Sequence, residues 1–182
     1  MRLFIATELP QDLLDALAET QAALRGSVRG RSIRQGSFHV TLAFLGNVEA
    51  WRVADLANML DSACAGHAAF ETGLGELGHF GRANKATLWQ GFTNKAAFTT
   101  LAQRIRTGLK QEGFSFDSKG FLPHVTLMRN ADLSEGVLPM PYIAYDIIDT
   151  VALFESDLSG DMPVYTALHT VRLQAIEPQP AS

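Results

Sequence analysis

Apolar positions recur along the chain with two different periods, and the switches between them lay out its elements. Residues 2–8 read as a short strand, after which Pro10 suits the first turn of a helix carrying Leu13, Leu14, Leu17 and Leu24 near helical spacing and ending around Gly26. Val53, Leu56, Leu60 and Cys64 form the stripe of a second helix. A third opens at Thr93 or Asn94 as N-cap and places Phe98, Leu101, Ile105 and Leu109 on one face. Strand-like stretches fall at 38–45, 70–77, 86–92, 122–129, 147–155 and 164–173. No linker divides residues 1–176, which are expected to form one domain, and Pro178 and Pro180 mark 177–182 as a frayed tail.

The most informative pattern is a repeat. His39-Val40-Thr41-Leu42 and His124-Val125-Thr126-Leu127 are the same tetrapeptide, 124 minus 39, or 85, positions apart. The same offset sets Leu3 on Leu88, Phe4 on Trp89, Leu13 on Phe98 and Leu24 on Leu109, so each half reads strand, helix, then a strand bearing the motif. Two such units packed about a pseudo-twofold axis would bring the motifs face to face.

In a strand, alternate side chains share a face. His39 and Thr41 therefore point away from Val40 and Leu42, and His124 and Thr126 away from Val125 and Leu127. A face of only imidazole and hydroxyl is a poor core surface and a good phosphate surface. One imidazole can take a proton from an attacking oxygen while the other gives one to a leaving oxygen, and two threonine hydroxyls can hold the non-bridging oxygens. Phe4, Phe121 and Trp89 could stack on a base, although aromatic core packing is the plainer reading. His67, His79 and His169 lack the motif around them.

Composition narrows the class. In 182 residues, 47% are hydrophobic and 19% charged, which fits a globular chain able to bury a full core. A lone cysteine, the absence of a long apolar run and an acidic Glu8 close to the start point to a soluble cytoplasmic protein without a signal peptide. The net charge of -4 argues against nonspecific coating of nucleic acid but hides an asymmetry. Residues 1–129 hold 14 basic and 11 acidic side chains, whereas 130–171 hold seven acidic ones and no Lys or Arg. Arg25, Arg29, Arg31 and Arg34 cluster without an intervening acid, either as a solvated, glycine-broken loop or as a rim facing an anion. No His-x-His, His-Glu-x-x-His or cysteine cluster suggests a metal site.

With these residues in view, the chain resembles the 2H phosphoesterase superfamily, and within it the RNA 2',3'-cyclic phosphodiesterases, also called 2'-5' RNA ligases. The resemblance rests on the two His-x-Thr-x motifs, on Arg2-Leu3-Phe4-Ile5-Ala6, on His39 to Gly46, on Pro123 to Arg129, and on Leu153-Phe154-Glu155-Ser156 followed by Tyr165. It implies an α+β, bilobal fold, with two pseudo-twofold-related lobes of antiparallel sheets and flanking helices around a central groove. It implies hydrolysis of an RNA terminal 2',3'-cyclic phosphate to a 2'-phosphomonoester without metal or cofactor, with 2'-5' ligation as a minor activity. His39 would be the proton donor, His124 the proton acceptor, Thr41 and Thr126 the phosphoryl-oxygen contacts and Arg129 a substrate-binding residue. The alternative substrate is a small cyclic nucleotide or other cyclic phosphate. A cytoplasmic monomer without membrane contact is expected. Two points depart from a simple match. Strict alternation puts Arg129 on the face opposite His124 unless a bulge follows Thr126, and Lys85-Ala86-Thr87 stands where the family often has an arginine.

Overall fold

Leu3 and Ile5 are fully buried, and their alternation builds β1 (Arg2–Thr7), which runs through Pro10 into α1 (Gln11–Ser27). Pro10 is the N-cap rather than a first-turn residue, and its carbonyl accepts the Leu14 N–H. The chain continues as β2 (Arg29–Ser32), β3 (Val40–Asn47), α2 (Val53–Cys64), β4 (Phe70–Phe80), β5 (Ala86–Phe92) and α3 (Lys95–Gln111). It ends with β6 (His124–Asp132), β7 (Tyr145–Ile148), β8 (Thr150–Asp157) and β9 (Val164–Arg172). These come from a computed structural model that describes residues 1–134, 137–160 and 163–176; the expected tail at 177–182 lies outside the described residues.

The fold is α+β and bilobal. One sheet has the order β3-β1-β8-β9 and the other β2-β6-β5-β4-β7, and every pairing within them is antiparallel. Without β2, the two orders correspond strand for strand about the pseudo-twofold axis. The helices cross over. α1 follows β1 of the first sheet yet packs on β2, β6 and β7 of the second, while α3 follows β5 of the second yet packs on β3 of the first beside α2. A single apolar cluster therefore runs through both lobes, from Leu3 and Ile5 to Leu88 and Leu127.

Three expectations need correcting. The stretch read as one strand, 147–155, is two: β7 edges the second sheet, and after Asp149 the chain enters β8 in the first. The arginine-rich segment is partly a strand, since β2 pairs with β6, aligning Arg31 with Arg129 and Ser32 with Met128. Thirdly, the offset of 85 holds for the motif strands and for α1 and α3 but slips by two residues between β1 and β5. Ala6 pairs with Thr41, whereas Trp89 pairs with Thr126. A two-residue slip leaves the buried face unchanged, so the apolar pattern cannot register it.

Candidate active site

β3 and β6 present their motifs to a groove of about 430 Å³ lined by His39, Thr41, His124, Thr126 and Arg129 together with Arg2, Arg31, Arg34, Phe44 and Tyr165. Two of the expected aromatics lie beside the histidines, and Phe4 itself lines the groove. Phe4 lies 4.9 Å from the His39 ring, centroid to centroid, and Trp89 lies 5.9 Å from that of His124. Phe121 instead sits under the Arg106 guanidinium. Among the described residues that line the groove, none is a carboxylate and none is Lys85.

The face of Arg129 is decided by a bulge. The β5–β6 register steps from Trp89 opposite Thr126 to Leu88 opposite Met128, leaving Leu127 as the extra residue. Leu127 and Met128 are both buried, alternation restarts, and Arg129 emerges on the same side as His124. β3 carries the matching bulge at Leu42, with Ala6 opposite Thr41 and Ile5 opposite Ala43, so Phe44 enters the groove by the same device. Buried Gln21 on α1 secures the β6 bulge, its amide donating to the carbonyls of Leu127 (2.8 Å) and Ile33 (2.7 Å).

Both imidazoles are anchored alike. His39 Nδ1–H donates to the Ser37 carbonyl (2.8 Å) and His124 Nδ1–H to the Leu122 carbonyl (2.7 Å). A carbonyl can only accept, so each Nδ1 carries the hydrogen and each Nε2 of the neutral ring presents a lone pair. The Thr41 hydroxyl donates to His39 Nε2 (3.1 Å); Thr126 makes no such bond to His124. Burial disfavours the charged ring and lowers His39 to about 4, opposed by its bond to Ser37 and reinforced by the charges of His124 and Arg129. His124 is lowered by the same burial, against its bond to Leu122 and with Arg129 adding to the effect. Burial thus leaves His39 a neutral base at neutral pH and shifts His124 in the same direction.

Among the described residues, Arg2, Arg31, Arg34 and Arg129 have no carboxylate partner, whereas Arg29 pairs with Asp132 at 3.5 Å. Arg2, Arg31, Arg34 and Phe44 are groove residues that motif reading missed. The signal for the arginines was their clustering without acids; for Arg2 it was only its place before an apolar strand. Arg2 lies with its guanidinium 4.7 Å from the centre of the Phe44 ring.

A family model described as the 2'-5' RNA ligase superfamily matches residues 10–145. The chain belongs to the 2'-5' RNA ligase superfamily. Among superfamily relatives, the RNA 2',3'-cyclic phosphodiesterase of Thermus thermophilus is 28% identical over 96% of this chain and 91% of its own. That of Geobacillus stearothermophilus is 32% identical over 69% of this chain and 41% of its own length. The structure of Escherichia coli LigT complexed with 3'-AMP superposes with a TM-score of 0.81 at 25% identity, over 94% of this chain and 97% of LigT. The superfamily's bilobal fold is thus this chain's fold. No described helix is long and apolar enough to cross a membrane.

Proposed function

We propose that the protein opens RNA terminal 2',3'-cyclic phosphates with water, leaving a 2'-phosphomonoester, by acid–base catalysis between His39 and His124 without a metal ion. The observation that carries this reading is the pairing of two identically anchored imidazoles with guanidinium groups in one groove that, among the described residues, has no carboxylate in its lining. The names of the relatives point to the same substrate class. A groove whose described lining lacks carboxylates suits an anion better than a metal cation.

His124 Nε2 takes a proton from water as its oxygen attacks phosphorus. The bond from phosphorus to the 3' oxygen breaks, and His39 Nε2–H gives that oxygen its proton. Thr41, Thr126 and Arg129 hold the phosphoryl oxygens, where charge gathers in the transition state. His39 needs a proton that its burial withholds, and the substrate itself supplies the remedy. A phosphodiester charge about 4 Å away is worth about 4 kcal/mol at an effective dielectric constant near 20. That is enough to raise the pKa of His39 from about 4 toward neutral pH, so that the ring takes up a proton. Protonated His39 turns from acceptor to donor at Nε2, releasing the Thr41 hydroxyl to the phosphate. The reverse reaction, 2'-5' ligation, competes poorly with water at about 55 M.

The test is a labelled oligoribonucleotide ending in a 2',3'-cyclic phosphate, incubated with the protein in excess EDTA. Conversion to a 2'-phosphate end is expected, falling at least about 10²-fold in His39→Ala and in His124→Ala. A folded protein that leaves the cyclic end intact, or turns it over only with added metal, would overturn the reading; turnover confined to small cyclic nucleotides would move the substrate away from RNA.

A further inference from the structure

Arg31 and Arg34 in the groove and Arg25 beside it have no place in the proton transfers. Arg31 on β2 stands directly opposite Arg129 on β6. Like charges facing each other weaken a strand pair, and among the described residues no acid lies within ion-pair reach of either. An anion between them removes that cost. Arg34 belongs to two depressions, the reactive groove and an open hollow of about 450 Å³ beside it that also takes in Gln21, Arg25 and Gly36. Ser32 and Ile33 are shared between the two as well, so hollow and groove are continuous along the β2 edge. Arg25 ends the run in the last turn of α1, exposed and without a carboxylate partner among the described residues. Leu158, Pro163 and Tyr165 also line the groove and bring no basic side chain to it. Among the described residues, the basic side chains of the β2 edge therefore run on from the groove into the hollow.

We propose that the β2 edge and the end of α1 form a track for the phosphodiester backbone upstream of the reacting RNA end, with Arg31 and Arg34 on the nearer phosphates and Arg25 beyond them. This rests on the function proposed above and adds a preference that the acid–base centre cannot supply: the substrate is a strand rather than a mononucleotide. The contacts are to phosphate and so carry no sequence choice. The overall charge of -4 does not oppose it, because a local strip of guanidinium groups governs what lands there.

The experiment compares kcat/KM for a 2',3'-cyclic mononucleotide with that for di- to tetranucleotides bearing the same cyclic end. The expected result is a rise with length that reaches a plateau. Arg25→Gln should cost the tetranucleotide about 3- to 10-fold and leave mononucleotide turnover unchanged. The salt dependence of binding should flatten by about 0.7 in its log–log slope for that arginine. Equal kcat/KM at every length, or an equal loss on both substrates, would overturn the track. If the wild-type protein turns over neither substrate, the proposed activity fails on its own, and fluorescence anisotropy with a 2'-phosphorylated tetranucleotide then judges the track. Arg25→Gln must weaken that binding and flatten its salt slope; unchanged binding refutes it.

Discussion

Acidification should destabilise this protein through one buried imidazole. His39 falls from the ordinary 6.5 to about 4 in the folded chain, mainly because burial disfavours its charged form. Its folded pKa is below its unfolded one, so between these values the unfolded state binds more protons and stability rises with pH. The contribution is complete above about pH 6.5 and is lost as pH falls toward 4. At about 1.4 kcal/mol for each pH unit, the gap between 6.5 and about 4 comes to about 3 kcal/mol. For a chain of this size that is about 6 to 12 °C in Tm. Carboxylates also respond to acid, so the measurement is a difference. Urea unfolding of wild type and His39→Gln at pH 7 and pH 4 should show the stability gap between the two proteins changing by about 3 kcal/mol in favour of the variant at pH 4. Inorganic phosphate should recover part of the wild-type loss, because a bound anion favours the imidazolium. A gap that stays constant across this range would refute the view that the groove holds His39 neutral by burial.

The same lowered pair sets the rate profile. The alkaline limb of kcat/KM, which reports the free enzyme, should lie below pH 6.5, and that of kcat should lie higher because bound phosphate restores the proton to His39; coincident limbs above pH 7 would contradict this. In Gly78→Ala, the new methyl runs into Cζ2 and Cη2 of Trp89, the ring beside His124. A loss of about 1 to 3 kcal/mol in thermal unfolding and a fall in turnover are expected. Gln21→Leu deprives the Leu127 and Ile33 carbonyls of their amide donor, which should cost about 1 to 3 kcal/mol by denaturant unfolding. Because that donor secures the bulge that aims Arg129, the KM for a cyclic-phosphate substrate should rise as well.

Much of the candidate site was legible in the chain because it is local. A His-x-Thr strand puts imidazole and hydroxyl on one face whatever surrounds it, and the duplication of the tetrapeptide implied a facing pair. The three helices were equally legible, since Leu13, Leu17 and Leu24, then Leu56, Leu60 and Cys64, then Phe98, Leu101, Ile105 and Leu109 each make a buried stripe. Asn94 as N-cap of α3, accepting from the Ala97 N–H, also follows from residue type.

Tertiary structure decided what depends on two segments meeting. β2 is four residues with no apolar alternation, and it is a strand only because β6 offers it hydrogen bonds. Arg129 faces His124 because β6 bulges against β5, a property of the pair that neither strand announces. The slip of β1 against β5 is invisible to a pattern of period two, yet it sets Ala6 opposite Thr41 and Trp89 opposite Thr126, and so makes the two halves of the groove unequal. The proton affinity of His39 is likewise collective. Residue type alone gives 6.5, and the walls that the two lobes close around it lower it to about 4, because an ion's energy depends on the solvent it loses rather than on its own bonds.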